Sequence, residues 1–496
     1  MGHKNAVTDI DSLVNDQTKR CCLQEIPRST SSALRLLMTC IKDEQPRRRR
    51  MEDNSTIPSG PSSDKKISTA DIMKIARAKL PQYKSQNSDL LSSIITAFDS
   101  HSGLSSEDND DIQLALLLQA SAERVALQQF ERAQRYLMMC NCWASQTGNP
   151  VQRVAYYFAE ALKEKIGRET GTIPPLTDGE RENKMDAEEL IHSHIQAIIT
   201  IQEKLPFTRI IQYTGMQSIL DNVASASRIH LIDLGIKSGS HWTVIMQSLS
   251  LRNKFPVQFL KITAVGKSTK RLEATGKRLS SFAQSMKLPF EFSFVAVKSD
   301  MKELKKDMLD INSGEAVAVY SEFRLWSLLA RPSELDSFLG LIKSLNPCIM
   351  VVVEGELCTN QVPFLDRFNA TLDSTGALFD CIHSCLGQDE QTRVIAEGIY
   401  LGSMIQNLIV ADEEDRVHRS ERIDFWRNLF SSNGMVETEL SYLSMYQASL
   451  ILKMSANWIH CNVEMNEKCM IIGWKGVPIQ SLSAWKFQEV DEATST

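Results

Sequence analysis

Residues Ile229 to Trp242 read IHLIDLGIKSGSHW. An apolar run closing on Asp233, then Gly235 and Gly239, then a new apolar face predicts a strand, a glycine-rich turn and a helix. Such a turn lets the backbone approach a ligand and aims the first helical N–H groups at it. The residues inside it argue for packing instead. A dinucleotide fingerprint requires GxGxxG, whereas Gly235 is followed by Ile236-Lys237. A cofactor loop of the DxGxGxG kind takes small residues throughout, and Lys237 occupies its middle place. A nucleoside cofactor also needs an acid at the end of the next strand for its ribose hydroxyls. The chain has Val265-Gly266-Lys267 there, and a lysine suits a phosphate better. No acid, base and nucleophile set can be assembled around the turn. Asp233 is expected to accept hydrogen bonds from the turn that follows it. His230 is expected to be a satisfied core histidine. His192 and His194, two apart, fall on different helix faces and make a poor metal pair.

Working outward, the rhythm on the C-terminal side is strand–helix. Strands are predicted at His230–Leu234, Val257–Val265, Phe290–Val297, Ala316–Tyr320 and Cys348–Glu354. The runs LKITAV and CIMVVVE are nearly all apolar, as a strand buried on both faces of a parallel sheet requires. Helices are predicted between them at Trp242–Leu251, Thr269–Met286, Met301–Asp310 and Ser333–Leu345. Alternating strands and helices imply right-handed crossovers and a doubly wound sheet. Further helices are expected over 364–384, 392–411 and 418–433. A hairpin follows, Val463–Met465 and Met470–Trp474 flanking Asn466-Glu467. Five parallel strands ending in an antiparallel hairpin would make the core Rossmann-like, in its class I methyltransferase-like variant.

On the N-terminal side the pattern is helical. Ile112, Leu116, Ala120, Leu127, Phe130, Ala133 and Leu137 lie near helical spacing. Asn149-Pro150 reads as an N-cap followed by proline at the first helical position, with Gly167 placed to end that helix. Asp186 with Glu189 fits a capping box, and another helix is expected over roughly Thr208 to Ala224. These elements predict an α-helical cap over 108–227 on an α/β core over 228–487. Residues 1–107 hold polar stretches and the run Arg47, Arg48, Arg49, Arg50, with weakly helical pieces at Ala33–Ile41 and Ala70–Leu80. That composition predicts a disordered N-terminal arm, and 488–496 a flexible tail.

Composition bounds the function. Of 496 residues, 43% are hydrophobic and 23% charged, values of a folded protein. The net charge of -6 speaks against a protein that holds DNA by itself through phosphates, while leaving room for a local basic patch. Eleven cysteines, including the close pairs Cys21/Cys22, Cys140/Cys142 and Cys381/Cys385, show no zinc-finger spacing. No apolar signal-peptide core opens the chain, and no apolar run reaches the ~18 residues of a membrane span. An intracellular, reducing setting with free thiols, no membrane contact and no cofactor is expected.

Several separated segments, in order, resemble the motif series of the GRAS family of plant transcriptional regulators. Residues 112–145 resemble its first leucine-rich region. Ile229, His230, Leu231, Ile232 and Asp233 resemble its VHIID core motif, extended through Gly239 and Trp242. Leu260 to Leu288 resembles the second leucine-rich region. Pro363 to Phe368 resembles the start of the PFYRE block, and Arg416 with Arg419 its basic-flanked end. Trp426, Trp474, Ser483, Ala484 and Trp485 resemble the C-terminal SAW block. The match spans about residues 108 to 487. The wording is most similar to the DELLA branch, yet residues 1–107 contain no DELLA or TVHYNP-like sequence, so a DELLA-like member lacking the hormone-sensing arm is implied.

The resemblance implies a helical cap on a Rossmann-like core. It also implies nuclear action through DNA-binding transcription factors and other GRAS proteins, with homo- or heterodimers and direct DNA contact secondary. Leu114, Leu117 and Leu118, which form an LxxLL pattern, are candidate partner contacts. Arg47–Arg50 reads as a nuclear import signal. Trp474 and Trp485 are expected to pack between hairpin and helices. The alternative from a different class is an S-adenosylmethionine-type small-molecule-binding protein or methyltransferase using the turn Asp233–Gly239.

Overall fold

The computed structural model describes residues 67–85, 105–174, 200–201, 203–297, 301–360, 363–387, 389–411, 416–417, 419–455 and 457–488. Arg47–Arg50, the pair His192/His194 and the capping box at Asp186 lie outside these residues.

The helices of the N-terminal half are α1 (Thr69–Ser85), α2 (Ser106–Ala126), α3 (Phe130–Trp143), α4 (Pro150–Glu169) and α5 (Pro206–Asn222). Local chemistry starts them. Ser105 caps α2 by accepting from the Asp108 N–H. Asn149 and Gln152 form a reciprocal capping box at α4 with Pro150 in its first turn. Gly167 lies inside α4 rather than ending it, and the left-handed Gly171 follows the last turn.

The sheet joins nine strands among the described residues. In chain order they are β1 (Arg228–Asp233), β2 (Phe259–Gly266), β3 (Phe290–Ala296), β4 (Ala316–Glu322), β5 (Ile349–Gly355), β6 (Met435–Thr438), β7 (Cys461–Asn466), β8 (Cys469–Trp474) and β9 (Val477–Phe487). Their order across the sheet is β3-β2-β1-β4-β5-β9-β8-β7, with β6 also on β9. The first five are mutually parallel, and β9 lies antiparallel to β5. The crossovers are α6 (Ser240–Ser250), α7 (Thr269–Ser285) and α8 (Pro332–Leu345), followed by α9 (Phe364–Leu386), α10 (Glu390–Ala396), α11 (Ser403–Val410), α12 (Ile423–Ser432) and α13 (Tyr442–Met454). One sheet face packs on α5, α6, α7 and α13 through Ile211, Leu231, Trp242, Leu279 and Ile451. The other packs on α8 and α12 through Ile232, Val319, Phe338, Trp426 and Phe430. The architecture is therefore mixed α/β, with a parallel sheet covered by helices on both faces.

Several expectations are corrected. The expected disorder of residues 1–107 fails over 67–85. There α1 buries Ile72, Met73, Ala76 and Leu80 against the cap, Arg77 pairs with Asp373, and Asp380 accepts from the Thr69 N–H and hydroxyl. The cap is also not one contiguous stretch. α5 belongs to the sheet, while α9 and α11 join α1–α4 in a separate core through Phe368, Phe379 and Ile405. Met301–Asp310 forms two 3-10 turns, Met301–Glu303 and Lys306–Leu309, instead of an α-helix, ending at Asp310 in the left-handed region. The expected helix 392–411 is broken by a π-helical turn, Glu397–Gly402, where Glu397 meets Arg153 of α4 at 3.0 Å in a fully buried pair. The hairpin turns at Glu467-Lys468, and β6, β9 and α13 are additions.

Candidate functional site

The C-terminal ends of β1, β2, β4 and β5 meet where the strand order reverses, the place where open α/β sheets bind ligands. Here the chain has filled that place with its own side chains. Asp233 ends β1 and is buried. One of its carboxylate oxygens accepts the Gly235 N–H at 3.0 Å, and the other accepts the Trp242 indole N–H at 2.8 Å and faces His241 Nε2 at 3.2 Å. Both rings come from the first turn of α6, so the carboxylate ties strand, turn and helix together. Gly239 is required there by its φ of 70°. At Gly235 a Cβ would come within 2.5 Å of Arg324 Cδ, so that a larger residue would displace the Arg324 side chain.

Around this knot, Tyr320 of β4 packs against His241 in a tilted arrangement and against Trp242 edge to face, at ring distances of 5.4 and 5.7 Å. Its hydroxyl donates to Glu322 Oε2 at 3.0 Å, and Lys237 closes over Glu322 Oε1 at 2.8 Å. Burial alone would raise the Glu322 carboxyl. The Lys237 charge and His241 outweigh it and hold it below the ordinary value. Lys237 also lies 5.3 Å from the Phe323 ring centroid. Glu354, at the end of β5, accepts the N–H groups of Arg324 and Leu325, yet burial still raises its pKa to about 8. Asp233 and Glu322 are matched by side chains of the same chain, whereas Glu354 is held by backbone N–H groups. An S-adenosylmethionine-type ligand does not fit this donor set, because the acid of the first strand is consumed and the second strand ends on Gly266 and Lys267.

The other sequence-read residues fall as follows. Ile229, Leu231 and Ile232 are core residues of β1, and His230 is buried between Thr263 Oγ1 (2.7 Å) and Glu315 Oε2 (3.1 Å). Leu114, Leu117 and Leu118 are corrected as partner contacts: α2 sits at the centre of the cap, and all three side chains are buried. Trp474, Ser483, Ala484 and Trp485 are buried in β8 and β9, Trp485 at 4.8 Å from the Phe430 ring. Arg416 donates to the carbonyls of Thr359 and Asn360, and Arg419 to the Asn360 side chain, so this basic pair pins a loop. Sequence reading missed Tyr320, Glu322, Arg324 and Glu354. The available signal was polar residues closing apolar strand runs, AVAVYSE and IMVVVEG.

Across the chain, the sequence profile of the GRAS domain family matches residues 114–486. The chain belongs to the GRAS family. This GRAS protein is 35% identical over 381 residues to DELLA protein RGL1 of Arabidopsis thaliana, covering 77% of this chain and 71% of that one. It is 32% identical to DELLA protein 1 of Medicago truncatula, covering 76% of this chain and 64% of that one. Among solved structures, SCL7 of Oryza sativa superposes with a TM-score of 0.63 at 24% identity, over 82% of this chain and 99% of that chain, a likeness of fold. With these relatives, the protein is a plant transcriptional regulator related to the DELLA proteins of gibberellin signalling. No described helix is long and apolar enough to cross a membrane.

Proposed function

We propose that this GRAS protein works in the nucleus as an interaction scaffold or co-regulator for DNA-binding transcription factors and other GRAS proteins, without catalysis and with direct DNA contact secondary. The observation that carries the reading is the use of Asp233. At the point where a cofactor would be held, its carboxylate is spent on Gly235, His241 and Trp242. The strand order supports regarding the core as a Rossmann-like, class I methyltransferase-like sheet kept for architecture. Nuclear action is supported by Arg47–Arg50 in the sequence. The cap as a whole, rather than its buried leucines, is the partner-binding element in this reading.

Calorimetry of the full chain with S-adenosylmethionine is expected to give no binding heat. Binding that disappears in Asp233→Ala would replace the scaffold by the methyltransferase reading. Affinity purification from plant nuclei is expected to return transcription factors and GRAS proteins. A fluorescent fusion with Arg47–Arg50 changed to alanine should stay in the cytosol, and an unchanged nuclear signal would refute the import signal.

A further inference from the structure

Between residues 252 and 310, through the end of the turn that follows β3, the chain carries thirteen Lys and Arg against six Asp and Glu, although the whole protein is net acidic. This stretch builds the β2–α7–β3 end of the sheet, so positive charge gathers at one edge. β3 pairs with β2 on one side and, among the described residues, with nothing on the other. Two hydrogen bonds set the phase of its ladder. The Leu260 N–H donates to the Pro289 carbonyl (2.9 Å), and the Val297 N–H donates to the Gly266 carbonyl (3.0 Å). Alternate residues of a parallel strand bond to the same neighbour. Glu291, Ser293 and Val295 therefore serve β2, and Phe292, Phe294 and Ala296 turn their N–H and C=O groups to the open edge.

One face beside this edge is basic. α7 covers it, with Gly276 against the Phe292 ring, and exposes Lys270, Lys277 and Arg278. Lys270 and Lys277 make no ion pair among the described residues. The Lys306–Leu309 turn lies against the other face, where exposed Lys305 and Lys306 are balanced by exposed Asp307 and Asp310. A large apolar side chain stands on the α7 side of this edge, Phe294 at 36% exposure. An open row of backbone donors and acceptors, flanking cations and an exposed apolar group together match one kind of occupant. A second copy of the chain would bring the same positive edge and be repelled. A nucleic-acid backbone would satisfy the cations but cannot match alternating N–H and C=O groups or cover Phe294.

We propose that the β3 edge is a docking site for an extended acidic segment of a partner protein, which adds a strand beside Phe292–Ala296 and covers Phe294 with apolar side chains. The proposal rests on the reading of this protein as an interaction scaffold, and the segment's carboxylates would face Lys270, Lys277 and Arg278 of α7. The test is fluorescence anisotropy with the full chain and a labelled 7-residue peptide, the length of β3, alternating Glu and Val. Binding is expected, weakening as salt rises. N-methylation of alternate peptide amides should weaken it about tenfold through lost strand hydrogen bonds. Ala296→Pro, which deletes an outward N–H and leaves the β2 ladder intact, should do the same, and Phe294→Ala should weaken it several-fold. Absence of binding, equal binding of the N-methylated peptide, or binding of a random DNA duplex in place of the peptide would each overturn the proposal. Because the probe reads this edge alone, such a failure leaves transcription-factor capture, and with it the scaffold reading, to be judged by the nuclear purification.

Discussion

Asp233 holds its place by accepting from three groups of its own chain, and two of those donors have no water to turn to. A buried donor left unpaired costs about 1–3 kcal/mol. Asp233→Ala is therefore expected to destabilise the protein by a few kcal/mol, as a lower denaturant midpoint at unchanged slope. A loss below about 0.5 kcal/mol would show that these bonds do not hold the turn. Glu354 makes the opposite kind of contribution. Its folded pKa of about 8 lies above the ordinary 4.5, so the folded state keeps a proton that the unfolded state releases. Its contribution is complete below pH 4.5 and is lost as pH rises towards 8, at up to about 1.4 kcal/mol per pH unit. Glu354→Gln, which keeps an acceptor for Leu325, should flatten stability across that window. An unchanged pH profile would contradict the assignment.

Among elements, α2 separates what a pattern says from what packing does. Its leucines follow a helical rhythm and spell LxxLL, which locally is indistinguishable from a partner-facing stripe. In the fold α1, α3, α4 and α9 surround it, and nearly every side is covered. Leu117→Ala should accordingly cost about 2–5 kcal/mol of stability as a cavity mutation. An unchanged melting temperature with lost partner capture would restore the surface reading. The π-helical turn at Glu397 is another tertiary decision. Nothing in the local sequence marks it, and its buried partner Arg153 stands on a helix far away in the chain. Edge strand β3 was legible as a strand, but its position at the edge, and so its open backbone, follows only from the sheet order.

For the whole molecule, the boundary at residue 107 is the main revision. Helix α1 buries five apolar side chains and clips to α9 through Arg77–Asp373 and Thr69–Asp380. Lys475 of the β8–β9 turn reaches the same Asp380 at 3.2 Å, so cap and sheet are tied at one carboxylate. A chain starting at Gln86 should lose on the order of several kcal/mol, at about 1.5–3 kcal/mol for each fully buried large side chain. Calorimetric melting measures this, and a melting temperature equal to that of the full chain would return α1 to the arm.

By itself the sequence determined the five parallel strands, the crossover helices α6, α7 and α8, the cap at Asn149, and the ordered motif series of the family. Those signals are energies between residues within a turn or two, or apolar runs that only a doubly covered strand tolerates. Tertiary structure alone decided that β9 slides between β5 and β8, that α9 and α11 leave the sheet for the cap, and that Lys237 is spent on Glu322. Pairings of that kind join residues far apart in the chain, where loop closure and complementary burial select the partner and no local spacing records it.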